Sequence, residues 1–332
     1  MSERRTRAGR GIGDRDRGAR TGVRVADRRR RRGGVQGAAA ATVLALVLVS
    51  CGSDSGDLES AGTSEASGAT SRSEVGVIDT AAAVEAAGWG DNVQISVDGD
   101  TFTYRSNGVP NHEVADQYLM PDDGSPCAFL ASPDCMHIES KDEAIAEYEI
   151  DFTFTTKPEL VDEVFQPTAG PLGLIISGSS VYNPFEADGT TVAMASNFTM
   201  PNEDGDPVAF MDDCMAHPSP HPAAQYHYHG LPQCVVDQVD EPDGPSHMIG
   251  VAFDGFPIYG DRDIDGAPVD PADLDECNGI DSPTPEFPDG IYHYVLTHLE
   301  TEQSSIRCLH GRMDFTPKVR ADSLTGVPAE QD

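Results

Sequence analysis

The chain has 332 residues, with 22 Lys and Arg against 56 Asp and Glu and a formal net charge of −34. So negative a surface repels phosphate backbones, which excludes nucleic acid as a partner. The charge is uneven: the first 50 residues hold 13 Arg and 4 acidic residues, so a basic leader precedes an acidic remainder.

In that leader the run Arg28 to Arg32 precedes an apolar stretch from Ala38 to Val49. The stretch is too short to span a bilayer as a mature helix but suits the hydrophobic region of a signal peptide. Leu48-Val49-Ser50-Cys51 then fits a bacterial lipobox, in which small residues admit the peptidase and the Cys51 thiol accepts lipid. An ordinary secretory signal, a start codon assigned too early and a twin-arginine route are the alternatives, and each still exports the chain. Residues 1–50 are thus expected to be a signal peptide. Residues 51–74, rich in Gly, Ser, Ala, Thr and Glu with almost no large apolar residue, are expected to form a disordered tether from the lipidated (palmitate-bearing) Cys51. The expected location is the outer face of a bacterial cell membrane, held there through the lipid anchor.

Six further cysteines, Cys127, Cys135, Cys214, Cys234, Cys277 and Cys308, make an even number in an oxidising compartment. Proximity in sequence favours Cys127–Cys135, Cys214–Cys234 and Cys277–Cys308 among the possible pairings. No close Cys-x-x-Cys pair supports a thiolate metal site.

Residues 75–332 read as one domain. Period-two patterns predict strands at Val93 to Val97, Thr101 to Arg105, Tyr148 to Phe154, Leu172 to Val181, His247 to Phe253 and Tyr292 to Leu296. Helices are predicted only at Thr80 to Ala87 and at Pro158 to Phe165, where Pro opens an acidic segment. The expected fold is mainly β, an antiparallel sandwich or irregular barrel with long disulfide-stapled loops.

The chemistry concentrates in histidines. In Tyr226-His227-Tyr228-His229 an extended backbone puts both imidazoles on one face and both phenols on the other. Two such imidazoles plus a third from another strand suit zinc or copper, and His293 in Tyr292-His293-Tyr294 is the expected third ligand. Tyr226, Tyr228, Tyr292, Asp254 and His217 are expected to support the site, while His247 and His310 read as surface or supporting residues. The alternative at this point is a polar His/Tyr wall without metal. The proposed staples Cys214–Cys234 and Cys277–Cys308 enclose the clustered histidines and His293 respectively. A calcium site is a further expectation at Asp261, Asp263 and Asp265 with Gly266, which match the first half of a calcium loop, although Ala272 stands where that loop places its bidentate Glu. No phosphate loop, nucleophile elbow or zinc-protease helix motif occurs.

At these residues the chain resembles the YHYH protein family. The resemblance runs from Tyr226-His227-Tyr228-His229 and Gly230 to Cys234, through Gly250 to Gly260 and Leu274 to Gly279, to Tyr292-His293-Tyr294, Thr297 and Cys308 to Gly311, within about residues 170–312. Two positions depart from the family pattern: Ile280 after Asn278-Gly279, and Val295 after the second Tyr-His-Tyr, stand where histidine is expected. The resemblance implies an extracytoplasmic domain with a His/Tyr signature and carries no reaction with it. The leading functional expectation is a lipid-anchored protein holding a zinc or copper ion. The alternatives are a metal-dependent enzyme of unknown reaction, with Asp254 as proton acceptor, and a metal-free small-ligand-binding or adhesive module lined by Phe256-Pro257-Ile258-Tyr259.

Overall fold

Alternation of large apolar and small polar side chains builds the first part of the structure, a computed structural model that describes residues 78–122, 135–166, 170–194, 198–313 and 315–328. The segments expected to be a signal peptide and a tether, with Cys51, and also Cys127, lie outside the described residues. After helix α1 (Ala81–Ala86) come strands β1 (Gln94–Asp98), β2 (Thr101–Ser106), β3 (Gln117–Pro121) and β4 (Met136–Ser140), the one-turn helix α2 (Lys141–Ala144), then β5 (Glu149–Thr155) and β6 (Leu160–Phe165). Next are β7 (Pro171–Ile175), β8 (Ser180–Tyr182), β9 (Thr199–Pro201), β10 (Pro207–Ala209), β11 (Ala216–Pro218) and β12 (Tyr226–Tyr228). Helix α3 (Gln233–Val236) leads into β13 (Met248–Ala252), β14 (Pro257–Tyr259), β15 (Gly279–Ser282) and β16 (Ile291–Val295), and β17 (Leu309–Gly311), β18 (Phe315–Val319) and β19 (Ser323–Pro328) end the fold.

Two sheets carry the core. One has five strands in the order β1-β2-β5-β19-β18, the other eight in the order β11-β12-β8-β7-β13-β14-β16-β15. On β2 and β5 the inward residues Phe102, Tyr104, Ile150, Phe152 and Phe154 are all buried, while Thr103 and Thr153 face out and bond to each other. Phe152 stacks at 4.5 Å on Phe253, in the turn after β13 of the larger sheet, and Tyr104 Oη donates to the Ile175 carbonyl at 3.0 Å. Burial of each of these phenylalanines contributes on the order of 2 kcal/mol. The expected sandwich is present, and neither sheet closes into a barrel among the described residues. The sheets are mixed rather than purely antiparallel, because β12 runs parallel to β8, β14 to β16, and β19 to β5.

The structure corrects two local expectations. Pro158 to Phe165 is not a helix: β6 pairs with β17, Leu309 opposite Phe165 and Gly311 opposite Leu160, and Val161 and Val164 suit that ladder better than a helical surface. Leu172 to Val181 is two strands rather than one, because Gly178 at φ 107° turns the chain back between β7 and β8. Helix α1 and the other predicted strands stand where the patterns put them, within a residue or two at each end. Among the described residues no helix is long and apolar enough to cross a membrane.

Candidate metal centre

The first half of the eight-stranded sheet positions the centre through a local turn. Asp212 Oδ1 accepts from the Cys214 and Ala216 amides at 3.0 and 3.3 Å, Met215 takes a left-handed φ of 58°, and the Met215 carbonyl receives the His229 amide at 2.8 Å. This turn starts β11 in register with β12, so that His217 stands directly opposite His227. Cross-strand partners share a face, as do residues spaced by two on one strand. His217, His227 and His229 are therefore brought together, with a ligating atom of each within 4.8 Å of the others.

The three rings are 2–5% exposed. Each Nδ1 lies against a backbone carbonyl oxygen: His217 against Pro218 at 2.9 Å, His227 against Gln225 at 2.8 Å and His229 against Asn183 at 2.7 Å. A carbonyl only accepts, so Nδ1 carries the proton and Nε2 keeps its lone pair. Nε2 of His217 and of His229 is buried with no hydrogen-bond partner, an arrangement that costs free energy unless something accepts the lone pair. Burial, reinforced by the neighbouring imidazoles, holds His217 down to about 3 and His227 well below the usual range. Burial alone lowers His229 to about 4. All three are thus neutral donors at any ordinary pH. Tyr182 packs on His227 at 4.0 Å and Phe210 on His217 at 4.3 Å, and no carboxylate among the described residues belongs to the group.

The tyrosines of the motif face the other way and fasten the strand. Tyr226 Oη donates to Asp212 Oδ2 at 2.8 Å, beside Tyr118 Oη at 2.6 Å. Tyr228 Oη meets Ser177 Oγ at 2.7 Å and His112 Nε2 at 2.6 Å. Burial raises the Asp212 carboxyl above its ordinary range, and four donors hold it in place. The disulfide Cys214–Cys234 ties the turn to α3, and Cys277–Cys308 closes the later loop, as expected from spacing. Cys135 is disulfide-bonded.

His293 is not brought to this group. It lies on β16 opposite Ile280, with Nδ1 on the Ile291 carbonyl at 2.9 Å and its ring against Tyr259 at 4.9 Å, and His217, expected only as support, takes the third position. The signal for His217 was its place inside the Cys214–Cys234 loop, but a cross-strand register is not written in local sequence. Asp254 also lies elsewhere: its Oδ2 accepts from Tyr294 Oη at 2.5 Å and from the Gly311 amide at 2.8 Å, and burial raises it to about 6. Tyr292 Oη donates to Asp275 Oδ2 at 2.8 Å. Phe256, Ile258 and Tyr259 are core side chains, 0–2% exposed.

At the expected calcium loop, Asp263 Oδ1 accepts the amides of Asp265 and Ala267 at 3.0 and 2.9 Å, and the Arg262 guanidinium donates to the Gly266 carbonyl at 2.9 Å. Asp261, Asp263 and Asp265 do not converge among the described residues; the segment is a hairpin turn closed at Arg262 and Pro268. His247 bonds Glu286 at 2.8 Å. His310 Nδ1 donates to the Val161 carbonyl at 3.1 Å, and the ring faces the loop of Asp275 and Glu276.

No curated protein and no solved structure compared with the chain is significantly similar to it. The family model described as YHYH protein matches residues 151–270 and 263–311, and so spans both halves of the eight-stranded sheet with the motif strand β12 inside. Through these residues the chain belongs to the YHYH protein family.

Proposed function

We propose that this protein binds one transition-metal ion, zinc or copper, through Nε2 of His217, His227 and His229. The observation that carries the reading is the pair of buried, unpartnered Nε2 atoms of His217 and His229 within a group of three converging imidazoles. Three Nδ1–H donors on backbone carbonyls orient the rings and fix the tautomer that a metal needs. Zinc takes three imidazoles with a fourth position left open, and copper also favours imidazole. With no carboxylate among the described residues joining the group, the fourth ligand comes from solution, as water or a small anion. Export by the leader and anchoring through Cys51 would place this site outside the cell, where an acidic surface faces the medium.

Elemental mass spectrometry on the intact chain purified without chelator, beside His227→Ala/His229→Ala, tests the reading. One zinc or copper per chain, lost in the variant, supports it. Equal, near-zero metal in two folded proteins sinks it.

A further inference from the structure

The eight-stranded sheet reads the same from either end. β7 and β8 pair Pro171 with Tyr182, Gly173 with Val181 and Leu174 with Ser180, with an irregularity after Pro171. β13 and β14 pair Met248 with Tyr259, Gly250 with Ile258 and Val251 with Pro257, with an irregularity after Met248. The turns match as well: Gly178 donates to the Ile175 carbonyl at 3.1 Å and Gly255 to that of Ala252 at 2.9 Å, both glycines at positive φ. Between the hairpins the contacts are reciprocal. Ile176 donates to the Ile249 carbonyl and Phe253 to the Leu172 carbonyl, each at 2.8 Å, and Leu174 faces its own counterpart Val251.

The outer strands continue the correspondence. β11 and β12 pair Ala216 with Tyr228 and His217 with His227; β15 and β16 pair Gly279 with Tyr294 and Ile280 with His293. Asp275 repeats Asp212, with Oδ1 on the Cys277 and Gly279 amides at 2.8 Å and Oδ2 on a tyrosine hydroxyl. Asn278, at φ 68°, repeats Met215 and receives the Val295 amide at 2.9 Å, as Met215 receives that of His229.

Within this frame His227 corresponds to His293, each with Nδ1 on the carbonyl two residues before it and its ring beside a tyrosine, Tyr182 or Tyr259. His217 corresponds to Ile280 and His229 to Val295. What the halves share (the Asp turn, the Tyr–Asp bond, the hairpin glycines) builds the scaffold. What only the first half has is the second and third imidazole.

We infer that the domain is an internal duplication in which each half frames a three-imidazole metal site, armed at His217, His227 and His229 and reduced to His293 alone at the equivalent place formed by Ile280, His293 and Val295. The metal part of this inference rests on the function proposed above; the duplication does not.

Cobalt(II) titration of the intact chain, read by visible absorption and elemental stoichiometry, tests it with two variants. Ile280→His/Val295→His is expected to raise bound cobalt from one equivalent to two. The reverse variant, His217→Ile/His229→Val, is expected to keep the far-UV spectrum and bind none, because the second half already accepts that pair. A wild type without cobalt beside a gain-of-histidine variant with one equivalent would remove the metal reading of the first half and leave the duplication standing. Unchanged stoichiometry in the folded gain-of-histidine variant overturns the inference, as does collapse of the reverse variant.

Discussion

His217 and His229 lie ring over ring, 5.1 Å between centroids and 6° from parallel, with both Nε2 atoms buried and unbonded. Two lone pairs held side by side out of water are unfavourable unless a cation joins them. Removing one ring should therefore remove most of the affinity for metal. His217→Ala is expected to weaken zinc binding by at least about 100-fold, since loss of a direct ligand exceeds the 10–100-fold typical of its supporting partners. His293→Ala should leave affinity and stoichiometry unchanged, and a competition titration against a coloured chelator compares the two. Equal losses in both variants would return His293 to the site.

The same burial sets the pH dependence of the metal-free protein. In the unfolded chain the imidazoles take up protons below about pH 6.5, whereas in the folded chain His217 and His229 are held to about 3 and about 4. Between these limits the unfolded state binds more protons, so stability falls as pH falls, by about 1.4 kcal/mol per pH unit for each imidazole. Asp254, raised to about 6 by burial, acts in the opposite sense, since its folded form keeps a proton that the unfolded chain releases between about pH 4 and 6. Acidification also relieves repulsion among the many carboxylates, so the informative quantity is a difference between chains. His217→Ile/His229→Val shares Asp254 and the acidic surface but lacks two buried imidazoles. Its stability advantage over chelator-treated wild type should widen by about 2–5 kcal/mol from pH 6.5 to 4.5. Urea melts at the two pH values measure this, and a constant gap would contradict it.

Local pattern revealed much of the fold and only part of the site. Strands β2 and β5 were legible because one face packs a core and the other meets water, which writes period two into Phe102, Tyr104, Phe152 and Phe154. His227 and His229 were legible as a same-face pair for the same reason. The third ligand was not, because which strand lies opposite β12 is decided by the Asp212 turn and the β11 register, both of them tertiary. Leu160 to Phe165 misled because its charges suit a helix and its valines suit a ladder, and the partner β17 that decides between them lies far along the chain. The duplication was hidden by divergence: across the two hairpins only Gly173 and Gly250, Gly178 and Gly255, and Tyr182 and Tyr259 are identical pairs.

The disulfides Cys214–Cys234 and Cys277–Cys308 differ in what they hold. Cys214–Cys234, with a sequence separation of 20, closes a loop containing His217, His227 and His229; Cys277–Cys308, with a separation of 31, closes one containing His293. Chain-entropy estimates give each about 3–4 kcal/mol of stability. Replacing either pair by serine should cost a similar amount in urea unfolding. Only Cys214→Ser/Cys234→Ser should also weaken metal binding, because only that staple fixes the turn that registers β11 on β12. Equal metal affinity in both serine variants, with stability reduced in both, would show that the Asp212 turn holds the register without its staple.

Gly173 and Gly250 mark the junction between the halves. A Cβ on Gly173 would stand 2.7 Å from the Val251 carbonyl oxygen, and one on Gly250 would stand 2.5 Å from that of Leu174. Both obstacles are backbone in the central pair of strands, β7 and β13, so neither can swing aside as a flexible side chain would. Separating the strands to admit a methyl group weakens the ladder that joins the halves and loosens a close-packed core on both sides. Gly173→Ala and Gly250→Ala are each expected to destabilise the chain by about 2–3 kcal/mol, within the range seen for overpacking. Gly189, an exposed turn glycine away from the junction, at φ 70° with open space around its Cβ position, is the control: its alanine variant carries only the backbone cost of that φ, about 1 kcal/mol. Because the junction lies outside the His group, stoichiometry of bound metal should survive both junction substitutions wherever the chain remains folded. Thermal melts and metal content measured on the same preparations separate the two effects, and matched losses from Gly189→Ala and Gly250→Ala would show that close approach at the junction contributes nothing.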